Sequence, residues 1–196
     1  MEKFSNEDSL RVITSMIEAR KKEFRDNGSW FLLWGWLVFV ACVLHFVLMK
    51  SGFDQPYLAW TLMIVGGVIS VFKGIREEKT QRVRTYVDQF MNYVLISFLV
   101  CLMMVLLNMY HLKLNTYPML MMIYGIWLFV SGGTLEFRPL IIGGILNWAL
   151  ALVSFYLEFD YQLLALAVAV LLGYIVPGYM LRSRYNKAEK SNLAAA

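Results

Sequence analysis

Six apolar stretches separated by short polar segments divide this chain of 196 residues. Helices of about 20 apolar residues span a bilayer, and the stretches reach or approach that length. The second is short, and the fourth reaches a spanning length only by continuing through residues 131–135. The pattern predicts an all-α integral membrane protein with six transmembrane helices in a bundle over residues 30–181. These helices are expected at residues 30–49, 57–72, 90–110, 117–135, 140–157 and 161–181.

The segment before the bundle, residues 1–29, has the pattern of an amphipathic cytoplasmic helix. Ser5, with an acidic residue three positions on, is a helix-start signal, and Asn27-Gly28 is a stop signal. Apolar residues fall near one face at helical spacing: Leu10, Ile13, Ile17 and Phe24. We expect this helix to lie on lipid headgroups or to dock a soluble partner or a second protomer. Residues 182–196 are expected to form a cytoplasmic tail, whose last four residues resemble a cloning remnant.

The basic residues alternate across the apolar stretches. All but two of the 18 Lys and Arg residues, Lys50 and Lys113, fall on one set of polar segments. Because Lys and Arg are retained in cytoplasmic loops, this predicts a multi-pass membrane protein with both termini in the cytoplasm. Several of these residues are candidates for contact with lipid or a protein partner: Arg11, Arg20, Lys21, Lys22, Arg76, Arg82 and Arg84. No nucleic-acid-reading motif accompanies the charge, so we expect no nucleic-acid partner.

The chemistry of the chain argues against an enzyme. Metalloprotease, nucleophile-elbow, phosphate-loop and paired-cysteine zinc patterns are absent. No Asp, Glu, Lys or Arg lies deep in any apolar stretch, although buried charge is the usual mark of intramembrane catalysis or proton coupling. No cofactor is expected. His45 and His111 near the outer face are weak metal candidates, and no ligand spacing supports them.

The polar residues inside the stretches allow two interpretations. Asn92, Ser97 and Asn108 lie on the third stretch, and Asn147 lies near the middle of the fifth. An amide in hydrocarbon needs a partner, which is either a neighbouring helix or a substrate in a polar pathway. Glu136 and Arg138, in the inner turn between the fourth and fifth stretches, are expected to form a turn with a local ion pair or a cytoplasmic gate.

Small residues at i,i+4 spacing predict close helix packing and a possible homodimer, with the lining of a narrow pathway as the alternative. Such stripes occur at Gly66–Ser70–Gly74, Gly143–Asn147–Ala151 and Ala165–Ala169–Gly173–Pro177. Pro177 should kink or end the sixth helix before Arg182. Weak internal similarities fit either two inverted three-helix halves or three tandem hairpins, or arise by chance.

Two apolar motifs carry a resemblance to a known family. Gly132-Gly133…Phe137-Arg-Pro-Leu-Ile-Ile-Gly-Gly144 and Leu171-Leu-Gly-Tyr-Ile-Val-Pro-Gly-Tyr-Met-Leu181, with the Ser5–Gly28 leader, resemble a family of small six-span bacterial inner-membrane proteins. The resemblance covers most of the chain. It implies a protein without an assigned activity, of a kind found beside small transcription regulators. The repeated hairpins also resemble acid-resistance membrane proteins of the HdeD type.

Two functional hypotheses follow. The first is a regulatory or structural inner-membrane protein that acts through its basic cytoplasmic face. The alternative is a small-solute channel or transporter built from inverted three-helix halves. A continuous polar cavity lined by the asparagines would favour transport, whereas Asn147 paired to a neighbouring helix in a dry core would favour the first hypothesis.

Overall fold

The computed structural model describes residues 28–80 and 86–194, and these are almost entirely helical. No strand occurs within the two described ranges. The α-helices are α1 Ser29–Lys50, α2 Leu62–Thr80, α3 Tyr86–Leu107, α4 Met109–Leu112, α5 Thr116–Thr134, α6 Arg138–Ser154, α7 Phe159–Val170 and α8 Val176–Ala194. A 3-10 turn at Pro56–Thr61 precedes α2, a second at Lys113–Asn115 precedes α5, and a π-helical segment, Leu171–Ile175, joins α7 to α8.

The helices have the length and composition of a membrane bundle. Five helical stretches are long and apolar enough to cross a membrane: Ser29–Lys50, Pro56–Arg76, Gln89–Leu107, Met109–Thr134 and Phe159–Lys187. A further apolar helix, Arg138–Ser154, has 17 residues and is therefore about 25 Å long. The fold is thus compatible with an all-α membrane-embedded protein. The amphipathic helix predicted before residue 28, together with Arg82 and Arg84, lies outside the described residues.

The core is built by α1, α5, α6 and the α7–α8 helix. Their buried side chains form one cluster that includes Cys42, Met121, Leu140 and Leu166. In contrast, only 11% of the apolar window of α2 and 6% of that of α3 is buried. Helix α2 packs on α1, and α3 packs on α5. These two helices are therefore peripheral and leave most of their apolar surface outside the protein.

Glycine allows the closest helix contacts in this core. A Cβ atom on Gly125 of α5 would lie 2.3 Å from Trp148 Nε1, and one on Gly144 of α6 would lie 2.8 Å from the Gly125 carbonyl oxygen. Helices α5 and α6 share the most extensive contact in the described part of the chain. The small-residue stripe predicted for the fifth span is therefore a packing face, with Gly143, Asn147, Ala151 and Ser154 all buried.

Pro177 does not end the last helix, contrary to one of the two outcomes expected from the sequence. The helix continues through Pro177 to Ala194, so much of the predicted tail is helical. A proline lacks an N–H group, and its ring crowds the carbonyl of residue i−4, which here is Gly173. The π-helical segment Leu171–Ile175 directly before Pro177 widens the helix at that point. The distortion absorbs the proline within a continuous helix.

Candidate functional site

Asn147 is the central polar residue of the bundle. It is fully buried, and its Nδ2 group donates to the carbonyl oxygen of Gly143, one turn back on α6, at 2.9 Å and to that of Ala169 on α7 at 3.2 Å. The Gly173 backbone comes so close that a Cβ there would lie 2.5 Å from Asn147 Nδ2. Both amide hydrogens are thus used, and one of them joins α6 to α7. Of the two interpretations left open by the sequence, the interhelical contact is the one that this hydrogen bond supports.

The structure does not bring the other candidate polar residues to Asn147. Asn92, Ser97 and Asn108 are exposed on α3 or just beyond its end. Asn108 Nδ2 donates to the carbonyl oxygen of Met104 one turn back, at 2.9 Å. Because Asn92 and Asn108 are exposed while Asn147 is fully buried, the three asparagines do not line one common path in the described part of the protein.

Five buried side-chain oxygens have no hydrogen-bond partner in the described part of the protein. Ser70 Oγ lies on the peripheral helix α2, and the other four lie in the core. They are Ser131 Oγ, Asn147 Oδ1, Ser154 Oγ and Gln162 Oε1, and none of the four residues is more than 1% exposed. Ser154 and Gln162 lie near the connection between α6 and α7. Ser131 lies near the C-terminal end of α5, at the other end of the bundle. Because a buried polar group without a partner is uncommon in native proteins, these atoms mark the polar part of the core.

His45 is buried in a cluster of aromatic rings at the end of the bundle where α1 finishes. Its Nδ1 atom accepts a hydrogen bond from Trp60 Nε1 at 2.9 Å. Its ring is edge-on to Trp60 and to Phe159, with centroid distances of 6.4 and 5.9 Å. Tyr117 completes the cluster, because its ring centroid lies 6.1 Å from that of Trp60 and 5.4 Å from that of Phe159. His45 therefore ties the 3-10 turn before α2 to α1.

The same end of the bundle carries the ion pair between Lys50 and Asp160, whose atoms Nζ and Oδ2 are 2.5 Å apart. His111, the other weak metal candidate, is exposed and packs edge-on against Tyr110. Within residues 28–80 and 86–194, no three His, Cys, Asp or Glu side chains lie close enough to hold a metal ion.

Basic residues gather at the opposite end of the bundle. Lys73 Nζ donates to Ser29 Oγ and lies 4.2 Å from the ring centroid of Trp30, a cation–π distance. The Arg184 guanidinium lies 5.9 Å from the ring of Phe137. Arg76 and Arg138 are exposed. Of the other candidates for lipid or partner contact, Arg11, Arg20, Lys21, Lys22, Arg82 and Arg84 lie outside the described residues.

Glu136 and Arg138 lie in a turn. The sequence suggested an ion pair between them, but their side chains do not form one. Glu136 has a positive φ of 49°. Its N–H donates to the Gly133 carbonyl oxygen at 3.2 Å, and the Phe137 N–H donates to that of Gly132 at 2.8 Å. This is the Schellman arrangement that closes a helix C-terminus. The backbone hydrogen bonds thus define the turn, and both charged side chains are exposed.

Sequence reasoning missed the partners of His45 and Lys50. His45 and Trp60 are 15 positions apart, and Lys50 and Asp160 are 110 positions apart. No local spacing in the sequence predicts such pairs. Opposite charges flanking the predicted outer loops are a signal that could have suggested the ion pair. No family model, curated protein or solved structure matches this chain.

Proposed function

We propose that this protein is a non-enzymatic, six-span protein of the bacterial inner membrane, with both termini in the cytoplasm and a regulatory or structural role. It acts through the basic end of its bundle, which contacts anionic lipid and a soluble protein partner. The observation that carries the proposal is the pairing of Asn147 with Ala169 on a neighbouring helix, in a position without solvent exposure.

A paired, buried amide supports a packed core in preference to a transport path. A solute-binding asparagine has to offer its amide hydrogens to the solute, whereas those of Asn147 are held by two carbonyl oxygens. Replacing such contacts during transport would expose backbone acceptors in an apolar surrounding, which is costly. Asn92 and Asn108 are exposed, on α3 or just beyond its end, and contribute no polar group to the core.

The contacts of the basic end support a fixed platform for a partner. Lys73 on α2 contacts the start of α1 through Ser29 and Trp30. Gly28, with a φ of 67°, lies so close to α8 that a Cβ would approach the Gly178 carbonyl oxygen to 2.5 Å. The segment before residue 28 therefore starts from a position held by two helices. A second copy packing on the exposed faces of α2 and α3 would place two such platforms side by side.

Small-solute transport is the second candidate, and one observation favours it. The unpartnered oxygens of Ser131, Asn147, Ser154 and Gln162 belong to three core helices that pack on one another. These atoms lie at different depths along α5, α6 and α7. Water or small neutral solutes could donate hydrogen bonds to them.

Flux through reconstituted vesicles separates the two candidates. We expect vesicles containing the full chain to swell in isosmotic urea or glycerol no faster than protein-free vesicles. Faster swelling that is abolished by Asn147→Leu would contradict the proposal and support transport. Asn108→Leu is the matched control, because it removes an exposed amide from the outside of the bundle.

Partner binding is tested separately in cells with a photocrosslinking residue at position 76. We expect crosslinks to a soluble protein, and their loss when residues 1–27 are deleted, while circular dichroism shows the bundle still folded. Substituting Lys113, at the opposite end, with Gln should leave the crosslinks intact. Absence of any crosslinked soluble protein, or crosslinks unchanged by the deletion, would refute the platform role.

A further inference from the structure

One face of the last helix changes from apolar to basic along its length. Leu172 in the π-helical segment and Val176 and Tyr179 on α8 are large side chains with 41–50% of their surface exposed. Beyond them the exposed positions become polar and basic, at Arg182, Ser183, Asn186, Lys187 and Lys190. Positions 176, 179, 183, 186 and 190 recur at intervals of three and four, so they share one side of a helix.

The basic part of this face surrounds a shallow surface pocket of about 450 Å³. Its lining residues are Tyr179, Arg182, Ser183, Asn186, Lys187 and Lys190. Three of these side chains are cationic, the other three carry neutral hydrogen-bonding groups, and none of the six is acidic. A guanidinium group with nearby ammonium, amide and hydroxyl groups suits a phosphate, because it can combine a fork of charge-assisted hydrogen bonds with further donors.

The position of the pocket relates it to the membrane boundary. Trp36 Nε1 on α1 lies 3.3 Å from the hydroxyl oxygen of Tyr179 on α8 and donates a hydrogen bond to it. Exposed Trp and Tyr side chains that keep their polar edges together are typical of the headgroup level. Arg182 follows Tyr179 by three residues, or about 4.5 Å along the helix. The cations therefore begin where an apolar surface ends.

We propose that this face of α8 binds an anionic phospholipid, with the phosphate of the headgroup at Arg182, Lys187 and Lys190 and an acyl chain along Trp36, Val176 and Leu172. The exposed apolar strip continuous with the pocket favours a lipid over a soluble anion, because only a lipid offers both a phosphate and a chain. This inference requires that the protein is embedded in a membrane, and it holds whichever way the bundle is oriented.

Trp36 provides a local reporter for the test. The full chain and its Trp36→Phe variant are reconstituted in vesicles of phosphatidylglycerol and phosphatidylcholine in which only one of the two lipids carries brominated chains. The difference between the two proteins isolates the quenching of Trp36. We expect Trp36 to be quenched more by brominated phosphatidylglycerol than by brominated phosphatidylcholine. Since one cation near an anionic lipid contributes about fivefold in affinity, the preference should reach at least that size.

The triple variant Arg182→Gln, Lys187→Gln, Lys190→Gln should reduce the preference to about one. Lys113→Gln is the matched control, because it removes an exposed cation from the opposite end of the bundle, and it should keep the preference. The three substitutions concern exposed side chains, and circular dichroism verifies folding. Lys187→Glu alone gives a second measure and should weaken the preference by more than one neutral substitution does.

Four results would overturn the proposal. Equal quenching by the two lipids would mean that the face has no headgroup preference, and a preference retained in the triple variant would place the lipid site elsewhere. A preference erased by inorganic phosphate at constant ionic strength would assign the pocket to a free anion. Displacement of the lipid by a short polyglutamate peptide would assign it to an acidic protein segment.

Discussion

Asn147 shows how one amide is accommodated in an apolar core. Its Nδ2 group serves an acceptor on each of two helices, while its Oδ1 atom has no partner among the described residues. Interhelical hydrogen bonds in membrane proteins average about 0.6 kcal/mol, so the residue fixes the register of α6 against α7 more than it stabilises the bundle.

Glu136 offers a residue-scale prediction because it adopts a left-handed backbone conformation that favours glycine. Its φ of 49° closes the Schellman turn after α5. Since a side chain there costs about 1 kcal/mol, Glu136→Gly should stabilise the protein by about that amount. Thermal unfolding in detergent, followed by circular dichroism, measures the effect.

The control for this prediction is Glu136→Ala, which removes the carboxylate but keeps the Cβ atom. It should leave the unfolding midpoint close to that of the original protein. An equal gain from both substitutions would show that the charge, and not the backbone conformation, is unfavourable.

The hydrogen bond between Trp60 and His45 predicts a response to acid. A protonated imidazole has hydrogen on both nitrogens and cannot accept the Trp60 N–H, so acid that protonates His45 should loosen the turn before α2. The His45 ring contacts Trp60 and Phe159, and the same end of the bundle carries the Lys50–Asp160 ion pair. Tryptophan fluorescence should therefore change with pH.

In His45→Phe this fluorescence transition should be absent, and the unpaired indole N–H should cost about 1 kcal/mol of stability. Substituting the exposed His111 with Phe is the matched control and should leave the transition in place. A transition that persists in His45→Phe would show that another group causes it.

At the scale of elements, the crossing of α6 with the π-helical segment brings two backbones into direct contact. A Cβ on Gly143 would lie 2.8 Å from the Gly173 Cα atom. Backbone atoms cannot rotate away as a side chain can, so Gly143→Ala has to separate the two helices. We expect a loss of about 1–3 kcal/mol in unfolding free energy.

Gly67 on α2 provides the matched control, since a Cβ there meets nothing within 4 Å. Gly67→Ala should be neutral or stabilise the protein by up to about 1 kcal/mol through helix propensity. If Gly143→Ala were as well tolerated as Gly67→Ala, the close packing of α6 on the π-helical segment would be refuted.

The apolar pattern predicts an all-helical protein, and the described residues are almost entirely helical. In the stretch expected at 117–135 the structure has α5, Thr116–Thr134, which Asn115 precedes and the Gly132–Glu136 turn follows. At Pro177 the sequence predicts either a kink or an end of the helix, and the end does not occur because the π-helical segment accommodates the ring. The apolar pattern gave no sign that α2 and α3 stay peripheral, since both are as apolar as the core helices.

The candidate site was predictable only in part, for a physical reason. Asn147 stands out because an amide amid apolar residues requires a partner, and the structure supplies Ala169. The same reasoning selected Asn92 and Asn108, but exposure on one helix face depends on which helices pack together. That information resides in contacts between distant residues, such as those of His45 with Trp60 and Phe159.

For the whole molecule, the two ends of the bundle predict opposite labelling. Ser183 lies at the basic end and Ser51 at the end with the Lys50–Asp160 ion pair, and both are exposed. In a background with Cys42 and Cys101 replaced by Ala, Ser51→Cys should react with a membrane-impermeant maleimide in intact spheroplasts. Ser183→Cys should react only after permeabilisation, and the reverse pattern would refute the proposed orientation.

The proposed function depends above all on a dry core in which Asn147 serves helix packing. The most direct test of such a core is the reaction of Asn147→Cys, in the same background, with a charged methanethiosulfonate reagent applied to reconstituted vesicles. We expect no modification in the folded protein and full modification after denaturation, as measured by mass spectrometry. Rapid modification of the folded protein would show a water-filled path to position 147 and would contradict a dry, packed core.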